Sequence, residues 1–218
     1  MSRSEQDQRA PSPTRPAAPA TDEASGRALG STGVGWILVV CGAAGLLASL
    51  VLTVEKFAVL ADPAYRPSCS INPVISCGSI MTSWQAELFG FPNPLLGVIG
   101  FTVVLTTAVA VLAGAGVPRW YWNGLFAGLT AAVAFVHWLI FQSLYRIEAL
   151  CPYCMVVWLV SVLGWWYCLL HLEAVQKHRP LRSWQRLHRL HAVVPTVWTL
   201  TVSALVAHAF WPYWQTLI

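Results

Sequence analysis

The sequence predicts an all-α membrane protein with five transmembrane helices, and three observations predict it. The 218 residues are 56% apolar and only 10% charged, where a soluble domain carries about 25% charge. Apolar stretches of about 20 residues, enough to cross a bilayer, occur at Gly33–Val54, Leu95–Ala115, Trp120–Phe141, Cys151–Leu172 and Val193–Phe210. Backbone polar groups must be paired inside lipid, which leaves helices or closed barrels. The unbroken apolar runs lack the alternation of barrel strands, so the spans are helices.

Taken in order, residues 1–28 are rich in Pro, Ala, Ser and Thr without apolar periodicity, the composition of a disordered tail. With no apolar stretch or cleavage site ahead of it, the first span reads as a retained anchor. Residues 29–218 form the five-span membrane domain. Within it, residues 55–94 make a loop too long for an idle connection. Its Ile80, Met81, Trp84, Phe89 and Phe91 suit a short amphipathic helix on the membrane surface. Pro94 fits the first turn of the second span, where its missing N–H is tolerated. Short connections at Gly114–Arg119 and Gln142–Leu150 make spans two, three and four expected antiparallel neighbours. Gly42, Gly45, Gly97, Gly100, Gly124 and Gly128 are spaced for close helix packing. Many of the tryptophans, Trp36, Trp84, Trp120, Trp122, Trp138, Trp211 and Trp214 among them, read as an interfacial belt.

Charge sets the orientation. With the N-terminus cytoplasmic, ten of the 13 Lys and Arg residues lie inside, and only Lys56, Arg66 and Arg146 outside. That is the positive-inside asymmetry. The basic loop Lys177–Arg189 then anchors topology beside anionic lipid, and the +4 net charge is no sign of nucleic-acid binding. This orientation puts Cys69, Cys77, Cys151 and Cys154 on the outer face, where disulfides persist.

Cys151-Pro152-Tyr153-Cys154 opens the fourth span. Residues three apart share a helix face, Pro152 suits a first turn, and a helix N-terminus favours thiolate over thiol. Thiolates carry out disulfide exchange, so the pair is a redox site by geometry. The same four-residue sequence occurs in glutaredoxins, but no βαβ pattern surrounds it here. Cys69 and Cys77 in the loop leave other readings open: a structural disulfide, or with the second pair a zinc site, although their spacing is wider than usual for zinc ligands. Two pairs at one boundary suit a relay, in which a mobile loop exchanges disulfides with both a soluble protein and a lipid-soluble electron carrier. Cys41 and Cys168 lie within spans without cysteine neighbours and read as small apolar residues.

The pattern Cys69, Ser76-Cys77-Gly78-Ser79-Ile80-Met81-Thr82-Ser83, Phe89-Gly90, Pro92-Asn93, Gly97 and Cys151-x-x-Cys154 resembles the vitamin K epoxide reductase family over about residues 33–172. The resemblance implies a four-helix transmembrane bundle around a quinone, menaquinone or ubiquinone, with a fifth helix as in bacterial members. It implies that Cys154 passes electrons to the quinone, with Cys151 its resolving partner, attacked by Cys77. Cys69 would face a thioredoxin-like protein of the DsbA type. Ser83 matches a hydroxyl position of the family, with a turn residue as its alternative. Asn93 matches an amide near the quinone oxygen, with helix capping as its alternative. Trp158 stands where animal members carry a tyrosine against the quinone. His137 lies level with the expected quinone head and is a candidate hydrogen-bond donor to it, or else a bundle histidine paired with a backbone carbonyl.

Only eight residues follow Phe210, so the expected partner is a separate extracytoplasmic protein. The resulting expectation is a protein dithiol:quinone oxidoreductase of the bacterial cytoplasmic membrane that drives disulfide formation in exported proteins and needs no metal. The alternatives are a quinone-epoxide reductase of the same fold and a non-catalytic membrane protein whose cysteines staple the loop or bind metal.

Overall fold

In the computed structural model, residues 21–62, 64–176 and 191–215 are described. The long helices are α1 (Thr21–Ala61), α3 (Pro94–Leu112), α4 (Arg119–Gln142), α5 (Pro152–Gln176) and α6 (Val193–Ala209). The described residues also form two short helices, α2 (Cys77–Met81) and α7 (Trp211–Gln215), a 3-10 turn at Trp84–Glu87 and a π-turn at Ser143–Ile147. Among the described residues α1, α3, α4 and α5 are long and apolar enough to cross a membrane. The protein is thus a multi-pass helical membrane protein. At 17 residues α6 is shorter, near the lower length limit for a span. The basic loop Lys177–Arg189 lies outside the described residues, as does most of the N-terminal tail.

The helices do not pack in the order in which the chain visits them. α3 lies along α1, α1 along α5, and α5 along α4. α3 and α4 share a short connection but barely touch, because a cavity separates them. The mutual packing expected of spans two, three and four therefore holds for α4 and α5 only. The glycines divide in the same way. A Cβ on Gly42 would strike the Leu105 backbone, on Gly45 the Phe101 ring, and on Gly97 the Ser49 side chain, so these three let α1 and α3 approach closely. Gly100, Gly124 and Gly128 meet nothing within 4 Å and line the cavity instead. Trp36, Trp84, Trp120 and Trp211 are exposed as a belt requires, whereas Trp122 is buried beside Leu129 and Cys168.

The largest departure from the sequence reading is at the end of α1. The helix continues through Glu55 and Lys56 to Ala61, so the connecting segment starts about two turns later than expected. Both charged side chains are buried, which is tolerated because each is fully engaged. Glu55 accepts hydrogen bonds from Ser68 Oγ at 2.6 Å and Tyr65 Oη at 3.0 Å, while Lys56 Nζ donates to the Met81 carbonyl at 2.5 Å and pairs with Glu87 at 2.7 Å. Adjacent residues thus grip the two arms of the cysteine segment. The surface helix expected there is two short turns, with Met81 buried and Trp84 exposed.

Candidate functional site

Local chemistry shapes the segment between Cys69 and Cys77. Asn72 Oδ1 accepts from the backbone N–H groups of Val74 at 3.0 Å and Ile75 at 2.6 Å, folding an Asx turn. Ser76 caps α2 by accepting from Ser79 N. The two ends of this segment come close enough for Cys69 and Cys77 to form a disulfide.

A single parallel bridge then joins the loop to the start of α5. Leu150 N donates to the Val74 carbonyl at 2.7 Å, and Ser76 N donates to the Leu150 carbonyl at 3.0 Å. Each strand of the bridge leads directly into a cysteine, Cys77 after Ser76 and Cys151 after Leu150. Their Sγ atoms lie 3.1 Å apart, within the range of a near-attack geometry. Cys69, Cys77 and Cys151 are all buried, and their sulfurs lie within 4.8 Å of one another. The approach to α5 is built by the π-turn, closed by Glu148 in the left-handed region at φ 55°. Ser143 Oγ caps the Ala149 carbonyl.

Pro152 begins α5, and Met155 N bonds back to the Cys151 carbonyl at 3.0 Å. Cys151 is therefore the residue from which the helix starts, and Cys154 lies one turn in, on the same face. Cys154 is half-buried, unpaired in a disulfide and at the wall of the cavity.

The cavity has a volume of about 720 Å³ and runs between α3 and α4 from Cys154 to Trp120 and Tyr121. Asn93, Ser83 and Trp158 line it together with Cys154, and Phe89, Phe101, Phe135 and Leu129 make much of the remaining wall. Asn93 holds the position before α3 without capping it. Its Nδ2 donates to the Gln85 carbonyl at 2.6 Å, and its Oδ1 is buried without a partner. Swapping the amide atoms would set oxygen against oxygen, so the free atom is an acceptor. Buried acceptors left unpaired are costly, and this one suits a ligand hydroxyl. Ser83 donates to the Ile80 carbonyl at 2.6 Å and so closes a turn, leaving its oxygen able to accept. Trp158 is buried one turn beyond Cys154.

His137 is placed differently from the other candidates. It is not among the residues lining the cavity. Its Nδ1 bonds the Val133 carbonyl at 2.8 Å, and its Nε2 accepts from Trp198 Nε1 of α6 at 2.9 Å. With Nδ1 held by its own helix and Nε2 by Trp198 of α6, both ring nitrogens are engaged away from the cavity. Cys41 and Cys168 lie in two separate apolar clusters, away from the redox cysteines.

Sequence reasoning missed Glu55 and Lys56, because charges at the end of an apolar run resemble a helix stop. Their adjacency at the head of a cysteine-bearing segment was the available signal. It also missed the buried Gln85–Gln142 hydrogen bond at 3.3 Å, which ties the 3-10 turn to the end of α4. No local pattern marks that pair.

Four helices around an apolar cavity, with Cys154 at its wall and a disulfide in contact with the neighbouring Cys151, are the architecture of a membrane oxidoreductase. The family model described as the vitamin K epoxide reductase family matches residues 36–169, and the chain belongs to that family. Quinone-linked redox chemistry at a membrane and thioredoxin-like partners are general features of its members. The lining fits a quinone in its reduced, quinol form: an apolar slot, an amide oxygen free to accept from a ring hydroxyl and a thiol border one cavity.

Proposed function

We propose that this protein is a thiol oxidase of the bacterial cytoplasmic membrane, with its N-terminus inside and its cysteine pairs on the outer face. It takes electrons from a separate thioredoxin-like, DsbA-type protein and passes them to menaquinone or ubiquinone, which drives disulfide formation in exported proteins. The observation that carries the reading is the 3.1 Å approach of Cys77 Sγ to Cys151 Sγ, with Cys154 at the cavity wall.

The partner's dithiol reduces the Cys69–Cys77 disulfide and is itself oxidised. The Cys77 thiolate attacks Cys151 of an oxidised Cys151–Cys154 pair, forming a Cys77–Cys151 bond and releasing Cys154 as thiolate. Cys69 then attacks Cys77, restoring its own disulfide and freeing Cys151. The arrangement described here, with the outer pair joined and the α5 thiols free, corresponds to the end of that exchange. A bound quinone supplies a two-electron, two-proton acceptor. Cys154 would face it, Asn93 Oδ1 would accept from a hydroxyl of the reduced ring, Trp158 and Phe101 would exclude water, and Cys151 would close the disulfide with Cys154. Direction follows from compartment, because a bacterial envelope is kept oxidising by quinone-coupled oxidation.

The test follows quinone reduction by purified protein in the presence of a reduced thioredoxin-like protein. Alanine at any of Cys69, Cys77, Cys151 or Cys154 should abolish it. Full activity in the Cys154→Ala protein would refute the mechanism. Turnover of a quinone epoxide, with a plain quinone inert as acceptor, would assign the fold's other chemistry instead.

A further inference from the structure

α6 lies beyond the residues that match the family model, yet its outer end is built into the redox site. Phe210, at the foot of α6, is 6% exposed. It shares one buried cluster with Val74, Leu144, Leu150 and Trp158, and Cys154 packs against that cluster. The bridge next to Cys77 and Cys151 pairs Ile75 with Leu150, and its hydrogen bonds join Leu150 to the Val74 carbonyl and the Ser76 N–H. One rung of parallel pairing between two loop segments is weak by itself, since even a whole two-stranded hairpin is marginal in water. The side chains beneath it must supply the rest. Farther along α6, Trp198 donates to His137 of α4, which fixes the helix against the bundle and gives His137 a role.

We propose that Phe210 is a positioning residue for disulfide exchange between the two cysteine pairs. By filling the space under Val74 and Leu150 it holds the bridge in register and keeps the Cys77 and Cys151 sulfurs within bonding reach. α6 thereby completes the redox site of the four-helix bundle. This rests on the relay proposed above. In the step concerned, the Cys77–Cys151 bond forms as the Cys151–Cys154 bond breaks. Cys154 leaves as thiolate, and no outside oxidant enters.

The test isolates that bond. In the Cys69→Ser/Cys154→Ser protein, Cys77 and Cys151 are the remaining cysteines of the site, and their bond is equilibrated against a glutathione redox buffer. Peptide mapping after alkylation reads the bonded fraction. Adding Phe210→Ala should lower the effective concentration of the two thiols by about tenfold or more, which is about 30 mV per tenfold for this two-electron couple. Phe210→Leu, a milder change that keeps the fold, should give a smaller drop in the same direction. The Cys151–Cys154 equilibrium, read in the Cys69→Ser/Cys77→Ser background, should not move with either substitution. An unchanged Cys77–Cys151 equilibrium in both Phe210 variants overturns the assignment, as does an equal fall in both equilibria, which would mean general loosening. If Cys77 and Cys151 fail to bond even with Phe210 present, the relay itself is overturned, a result distinct from either.

Discussion

Glu55→Gln should speed attack on the Cys69–Cys77 disulfide by a small dithiol about 30-fold. Cys69 is only 6% exposed, so a reductant must wait for the segment ahead of it to lift. That segment is held by Glu55, which accepts from Ser68 Oγ at 2.6 Å, Tyr65 Oη at 3.0 Å and, more weakly, Ser68 N at 3.4 Å. Hydrogen bonds to a charged acceptor contribute about 1.5–3 kcal/mol each. Both donors lie near water and recover solvent partners on opening, so the net loss on neutralising Glu55 is about 2 kcal/mol. At about 1.4 kcal/mol per tenfold, the open population rises about 30-fold. The assay measures reduction of the loop disulfide by dithiothreitol in a Cys151→Ser/Cys154→Ser background, where no internal thiol competes. Tyr65→Phe, which removes one of the bonds, should give about a fivefold increase, the equivalent of about 1 kcal/mol. Reduction rates that stay within twofold of the parent in both variants would refute the tether.

The same hydroxyl makes the tether sensitive to alkali. The bond to Glu55, then burial and the nearby carboxylate charge, raise the Tyr65 pKa above the usual tyrosine value. Its contribution is therefore complete below the ordinary tyrosine pKa and is lost as pH rises through the folded value. The alkaline rise in disulfide accessibility should vanish in Tyr65→Phe. Cys41→Ala and Cys168→Ala should retain quinone reduction, because each sulfur fills apolar space outside the site. Asn93→Leu should lower kcat for quinone reduction about tenfold with a smaller change in KM, because its Oδ1 accepts only from the hydroxyl that forms as quinone becomes quinol, a polar contact of about 1.5 kcal/mol. Lys56→Met should lower thermal stability by about 2 kcal/mol by orphaning the Met81 carbonyl. Glu87→Gln should cost less than about 1 kcal/mol, since Glu87 is 41% exposed and water screens the pair.

The sequence by itself determined the membrane class, the main helices and the chemical identity of the redox pairs. Each of these is written in short-range terms: apolar runs of bilayer length, a proline at the start of a helix, two cysteines one turn apart. Cys69, Cys77, Cys151 and Cys154 were legible as candidates for that reason, whereas Asn93 entered only through the family resemblance. Only the tertiary structure decided which of them meet. Cys77 and Cys151 are 74 residues apart in the chain, and their contact depends on a two-bond bridge that propensity does not encode. The same holds for Glu55 and Lys56, whose burial is favourable only because Ser68, Tyr65, Met81 and Glu87 come back to them. His137 sits at the depth expected of a ligand-binding residue but is turned toward Trp198. Gly100, Gly124 and Gly128 have packing spacing but border a cavity. A sequence fixes how far along a helix a side chain lies, whereas what it faces depends on which helices become neighbours. Here α1 and α5, far apart in sequence, pack together and leave α3 and α4 parted around the cavity.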